Sequence, residues 1–231
     1  MNDMSERLKA TPPKRRRSKR GRPKGSKAKN SAGQQTREQL LQASCKLFSQ
    51  RGFAGVSTAR IAAEAGVSKA VITHHFTNKR ELYSAVLEGV SAGLRSSIEG
   101  AFEAGLSGED AVSMLIEGVL AWGRDFPEQA RILAYDLLEL PERDKGKTVK
   151  QWKLGALMQQ VMNLVDTAKQ QSALPRELDT MAIIELIFGL VTYHVMVEPY
   201  DFHILALDPD SDKMSRFPMQ AKALLTRALH E

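Results

Sequence analysis

Lys69, Ala70, Val71, Thr73 and His74 lie in a stretch whose larger apolar side chains, Val67, Ile72 and Phe76, recur at helical spacing. If those three form the inner face of a helix, the first five point outward. A cation, a hydroxyl, an imidazole and small apolar groups then share a face with no large apolar burial to explain it. Such a set can read a DNA major groove. Adjacent helical residues point about 100° apart, so the neighbouring His74 and His75 make a poor metal pair, and no metal is expected. Elsewhere there is no Ser-His-Asp, metal-spaced or phosphate-loop pattern. GRPKGSK has two glycines without the Walker spacing, and no strand precedes it. Neither enzymatic activity nor a cofactor is expected.

The elements that must position this face are legible around it. STARIAAEAGVSKAVITHHF, residues 57–76, reads as two short helices joined by a tight Gly-containing turn, the helix-turn-helix pattern. Ser57 or Thr58 caps the first and Ser68 can cap the second. Gly66 permits the positive φ of the turn, and Ala62 and Ala65 let the two helices approach. Upstream, Leu40, Leu41, Ser44, Leu47 and Phe48 recur at helical spacing, with Thr36 as N-cap and Gly52 as stop. Downstream, Thr77 or Asn78 caps a longer helix starting at KRELYSAVLEGV. Further helices are expected over about 108–125, 128–140 (ended by Pro141), 148–171, 177–197 (ended by Pro199) and 212–230. No strand alternation and no internal repeat is seen. The expected fold is all-α with roughly nine helices: a basic arm at 1–35, a helix-turn-helix domain at 36–83 and a larger helical domain at 84–231.

Charge follows the same division. Residues 14–29 hold ten Lys/Arg and no acid, residues 37–83 seven basic and three acidic, and residues 84–231 fourteen basic and twenty-two acidic. A basic front and an acidic back imply a polyanion-binding end and an end with another task. Nucleic acid is the favoured polyanion, because neutralising phosphates releases counterions; a membrane surface is the rival. A basic tail could also serve as a nuclear localisation signal. With one cysteine, Cys45, no intramolecular disulfide can form, and Cys45 reads as core filler. No apolar run approaches the ~18 residues of a membrane-crossing helix. The basic N-terminus has no apolar stretch behind it, unlike a secretory signal, so a soluble, cytoplasmic protein is expected.

From Thr36 to about Leu87 the chain resembles the DNA-binding domain of TetR-type transcriptional regulators. The stretch REQLLQASCKLFSQRGFAGVSTARIAAEAGVSKAVITHHFTNKRELYSAV carries the resemblance. An amphipathic helix ends in a Gly-aromatic pair (Gly52, Phe53); a capped helix, AGVSK, a terminal Phe76 and NK-x-EL follow. The resemblance implies that Thr58 contacts phosphate, that Ser68, Lys69, Ala70, Val71 and Thr73 face the DNA, and that His74 and His75 meet backbone or base edges. It implies that Lys79 holds a phosphate at the start of the fourth helix, where the helix dipole helps. The family commonly has tyrosine where this chain has Thr73, and often again at His75. The operator therefore differs from that of common members. The resemblance further implies a cytoplasmic bacterial repressor, nucleoid-associated through its DNA, a small-molecule effector and a divergent C-terminal domain.

Ahead of the domain, Arg20-Gly21-Arg22-Pro23 resembles an AT-hook. Narrow A-tract minor grooves attract arginine. Gly21 presents no side chain to the groove floor, Pro23 keeps the chain extended, and Lys19, Lys24 and Lys27 would face phosphates. This arm is expected to be disordered when free, and N-terminal arms of such domains do enter the adjacent minor groove. An architectural protein dominated by this arm is the alternative to a sequence-specific regulator.

In the acidic half, residues 177–197 are apolar on nearly every side, which marks a buried helix, one lateral face of it covered by a second subunit. The resemblance implies a homodimer through 177–197 and 212–230, with a palindromic operator. Trp122, Tyr135, Met158 and Met162 are the expected walls of an effector pocket for an apolar or amphipathic ligand; Phe126, Phe188, Tyr193 and Met196 are further candidates.

Overall fold

The computed structural model describes residues 25–143, 152–204, 219–225 and residue 227. Among them there are helices, turns and bends but no strand. The chain divides into two compact units, Met1–Thr36 and Arg37–Glu231.

The described part of the first unit, 25–36, is helical and forms the start of α1 (Gly25–Arg51). An irregular arm reaching to residue 35 is therefore corrected. So is Thr36 as N-cap, since it sits inside the helix with its Oγ1 donating to the Ala32 carbonyl at 2.9 Å. The reason is propagation. Once packed residues have nucleated a helix, each added residue forms one bond without a new nucleus. Lys27, Ala28, Lys29, Ala32, Gln34 and Gln35 all favour the helix. Such a segment rises about 1.5 Å per residue, less than half of the ~3.3–3.6 Å of an extended linker.

In the second unit, α1 is followed by α2 (Thr58–Glu64), α3 (Lys69–His75), α4 (Lys79–Ile98), a 3-10 turn (Glu99–Phe102), α5 (Gly108–Asp125), α6 (Pro127–Arg143), α7 (Gly155–Gln170), α8 (Thr180–Ile204) and a last helical segment at 219–225, α9. The core is continuous. At one end Leu40, Leu47 and Phe48 of α1 join Ile61, Ile72, Phe76 and Leu82. At the other, α5 packs against α4, α6, α7 and α8. Its Val112, Leu115, Ile116, Val119 and Trp122 are buried at three- and four-residue spacing, the stripe of a helix facing a core.

Two expected ends are corrected. Pro141 does not stop α6 at 140, and Pro199 does not stop α8 at 197. A proline inside a helix forfeits the bond to the carbonyl four residues earlier. For Pro199 that carbonyl belongs to Val195, and it accepts instead from Arg131 Nε of α6 at 2.9 Å. Pro141 lies in the last turn of α6, where little helix remains to disturb. Over 148–171, α7 begins only at Gly155; residues 144–151 lie outside the described set.

The expectation about membrane-length runs is also corrected. Thr180–Val197 is an 18-residue window of mean hydropathy 1.8, long and apolar enough to cross a membrane by length and composition. It packs against α5, α6 and α7, with Ile183, Ile184, Ile187, Val191 and Val195 buried. Its other face stays open, with Met181, Leu186 and Tyr193 exposed by 45%, 46% and 69%.

Candidate nucleic-acid interface

The helix-turn-helix is assembled by caps that its own sequence supplies. Ser57 is the N-cap of α2, its hydroxyl accepting from the Arg60 N–H at 3.2 Å. The helix ends in a Schellman motif: Val67 N–H donates to the Ala62 carbonyl (2.9 Å) and Gly66 N–H to that of Ala63 (3.2 Å). Gly66 has φ +67°, the left-handed conformation that the motif requires at this position. Val67 then packs against the core, which fixes where α3 begins. Ser68 occupies the N-cap position of α3 but makes no side-chain cap bond. Its hydroxyl is exposed.

On α3, Ile72 and the following Phe76 are 2% exposed and hold the helix to the core. Lys69, Ala70, Thr73 and His74 are exposed. They sit at positions i, i+1, i+4 and i+5, a single stripe. Thr73 Oγ1 lies 3.4 Å from the Lys69 carbonyl, so its hydroxyl turns back on its own helix. His74 and His75 meet edge to face with centroids 5.1 Å apart. His75 is half-buried. Val71 is a correction: it is half-buried against the core and flanks the inner face, one i+4 step from Val67.

Thr58 is the first residue of α2 and half-buried. Asn78, rather than Thr77, caps α4, its Oδ1 accepting from the Glu81 N–H at 2.9 Å. Glu81 reaches back to accept from the Thr77 N–H at 2.7 Å, and hydrogen bonding from the Thr77 side chain and then from its N–H holds the carboxyl below the usual range. Tyr83 anchors this end of α4, edge-on to Phe48 (4.9 Å) and to Phe53 (5.0 Å).

Lys79 does not simply point to solvent. Its Nζ lies 4.2 Å from the centre of the Phe53 ring, a cation–π contact. Partial burial lowers the pKa of the ammonium, and Glu139 of α6 opposes that shift. Arg37, with its guanidinium 5.1 Å from the Phe76 ring, and the exposed Arg60 and Arg80 were not singled out from the sequence. The net positive charge of 37–83 was the signal that could have found them. Arg20, Arg22 and Lys24 lie outside the described residues.

Among the described residues no group of three or more His, Cys, Asp or Glu is placed to hold a metal. Cys45 is half-buried, and its thiol is pushed up to about 11, first by burial and then by Glu128. It is therefore protonated and unreactive at neutral pH.

The expected effector residues are dispersed. Trp122 is fully buried, its indole N–H donating to Gln129 Oε1 at 3.1 Å. Met158 and Met162 of α7 pack half-buried on the core. Tyr135 lies on α6 beside Gly52. A cleft of about 640 Å³ opens elsewhere, between the end of α4, the start of α5 and α7. Phe102, Leu106 and Leu164 line it beside Arg95, Asn163 and Gln171.

Residues 40–86 match the family model of bacterial regulatory proteins, tetR family. The α1–α4 segment is thus similar to the DNA-binding segment of tetR-family regulators. The chain is 27% identical over 123 residues to the nucleoid occlusion factor SlmA of Haemophilus influenzae (53% of this chain, 56% of the relative). It is 40% identical over 55 residues to the HTH-type transcriptional regulator AcrR of Shigella flexneri (24% of this chain, 26% of the relative). The chain thus spans at most about half the length of these relatives. The fold resembles that of the transcriptional regulator FadR of Bacillus subtilis in complex with stearoyl-CoA, with TM-score 0.56, 17% identity, and coverage of 84% of this chain and 99% of that one. The tetR match coincides with the α1–α4 segment that builds the stripe on α3.

Proposed function

We propose that this chain is a dimeric tetR-type transcriptional repressor that reads a palindromic operator and is released from it by a small apolar or amphipathic ligand. The exposed stripe Lys69, Ala70, Thr73 and His74, on a short helix held by Ile72 and Phe76, carries the reading. These groups suit base edges, and the N-terminus of α4 beside them suits phosphate. Thr58 and His75, at the flanks, are the proposed backbone contacts.

The dimer is proposed to form through α8 and α9. Both leave apolar side chains open: Leu186 and Tyr193 on α8, Met219 and Leu224 on α9. Two-fold symmetry would set two copies of α3 about 34–36 Å apart, one helical turn of DNA. The effector is proposed to bind the helical domain. The cleft of about 640 Å³ falls within the ~300–1,000 Å³ of small-molecule sites, and its mixed lining suits an amphipathic ligand. The stearoyl-CoA of the FadR structure has that character. Trp122, Met158 and Met162, expected as walls of the effector pocket, are not among the residues lining this cleft. A ligand releases DNA only if it prefers a conformation in which the two copies of α3 are misplaced.

The test is selection of bound duplexes from a random pool by the full chain. Recovery of a palindrome that random A·T-rich duplex fails to displace supports the regulator. Equal competition by random A·T-rich duplex would favour an architectural protein. The ten cations of 14–29 and the likeness to nucleoid occlusion factors speak for that second reading. Removal of residues 1–24 should weaken binding, flatten its salt dependence and reduce preference for A·T flanks, because Arg20, Arg22 and Lys24 are lost.

A further inference from the structure

The turn after α1 is built around an acid from another part of the chain. Gly52 has φ +65°, and a side chain added there would run into the Glu139 carboxylate and come within 3.2 Å of the Tyr135 ring. Glycine at 52 therefore does two things. It permits the left-handed backbone, and it leaves a seat for a carboxylate from α6. In that seat Glu139 Oε1 lies 3.5 Å from the Ala54 N–H, a long contact. Between Gly52 and Ala54 stands Phe53, whose ring carries the Lys79 ammonium at 4.2 Å. One three-residue turn thus seats an acid from α6 and presents the ring that carries the cation beginning α4, and the charge of Glu139 favours the protonated Lys79.

We infer that Glu139 is a positioning residue for Lys79. Seated on the Gly52–Ala54 turn, its carboxylate holds the Lys79 ammonium on the Phe53 ring and competes with a DNA phosphate for it. A DNA-bound chain must draw Lys79 away from Glu139. A conformation in which α6 leaves the turn releases that cation for the phosphate. The position of α6 then sets how much of the charge at the start of α4 is available to DNA, through electrostatics alone and without repacking the α3 face. Tyr135, beside the same seat, limits how far the carboxylate can swing.

This inference rests on the DNA-binding reading, and the experiment separates the two. Affinity of the full chain for a 30-base-pair duplex of mixed sequence is measured from about 0.05 to 0.3 M salt, because a phosphate contact is independent of sequence. Glu139→Gln should bind roughly five- to tenfold tighter at 0.1 M salt, with a salt slope steeper by about 0.9, the signature of one added phosphate contact. Glu64→Gln, which removes an exposed acid of α2, measures the effect of net charge alone. In a Lys79→Met background the gain from Glu139→Gln should vanish, and thermal melting checks that each variant is folded. A gain no larger than that of Glu64→Gln, or one that persists without Lys79, overturns the inference while the DNA-binding reading stands. A wild-type chain with no affinity for duplex DNA overturns both.

Discussion

The two halves of the second unit are specified in different ways. From Ser57 to Glu81 nearly every boundary is set by a residue within five positions of it: Ser57 caps α2, the bonds around Gly66 close it, and Asn78 with Glu81 caps α4. Beyond α4 local caps recur, with Ser107 accepting from the Asp110 N–H at the start of α5 and Asp179 from the Ala182 N–H at the start of α8, but other features depend on distant residues. α8 continues past Pro199, and the Val195 carbonyl that Pro199 cannot serve accepts from Arg131, sixty-four residues away. Trp152 likewise donates its indole N–H to the buried Asp136 at 2.7 Å. The contrast teaches that a reading head can be encoded locally, whereas the helical domain is held by partners that sequence spacing does not reveal.

If that contrast is right, substitutions in the two halves should separate stability from recognition. The largest effect is expected for Trp122→Ala. It empties a fully buried site and strands Gln129, and should cost roughly 3–5 kcal/mol in denaturant unfolding. Arg131→Ala should cost about 1–3 kcal/mol, because a buried carbonyl loses its donor; a loss near zero would remove the account of how α8 passes Pro199. On the reading head, Lys69→Ala and Thr73→Ala should leave the melting temperature nearly unchanged. Each should lose about 1–3 kcal/mol of discrimination at a defined operator position, measured with single-base variants of the selected duplex. Thr73 is the more informative of the two, since its hydroxyl already leans toward the Lys69 carbonyl. If Thr73→Ala has no effect, that position is silent.

Two smaller effects sharpen the comparison. Ser57→Ala should cost about 1 kcal/mol, the usual value for losing an N-cap. For Glu81 the folded-state pKa is depressed by hydrogen bonds from the Thr77 side chain and then its N–H. Its contribution is therefore present above the unfolded carboxylate pKa, near 4.3, and is lost as pH falls through the lower folded value. Glu81→Gln should lower stability at neutral pH, leave it little changed below the folded value, and so flatten stability against pH in that acid range, as read by thermal melts.

Much of the site was legible because its chemistry is local. Serine and asparagine declare caps, glycine declares a positive φ, and the spacing of Val67, Ile72 and Phe76 declares an inner face. Where the reading failed, the cause lay out of sequence reach. Val71 packs half-buried against the core. Lys79 is captured by a ring twenty-six positions upstream. Tyr135 lies against the Gly52 turn and not among the other expected pocket residues.

By itself, the amino-acid sequence determined the helical class, the helix-turn-helix segment, and the stripe of side chains it presents, because caps, turns and periodicity act over a few residues. Only the tertiary structure decided how α8 survives its proline, where the cleft opens, and which acid is seated on the Gly52 turn. Those outcomes depend on which helices pack together. Packing joins residues whose separation along the chain carries no local signal.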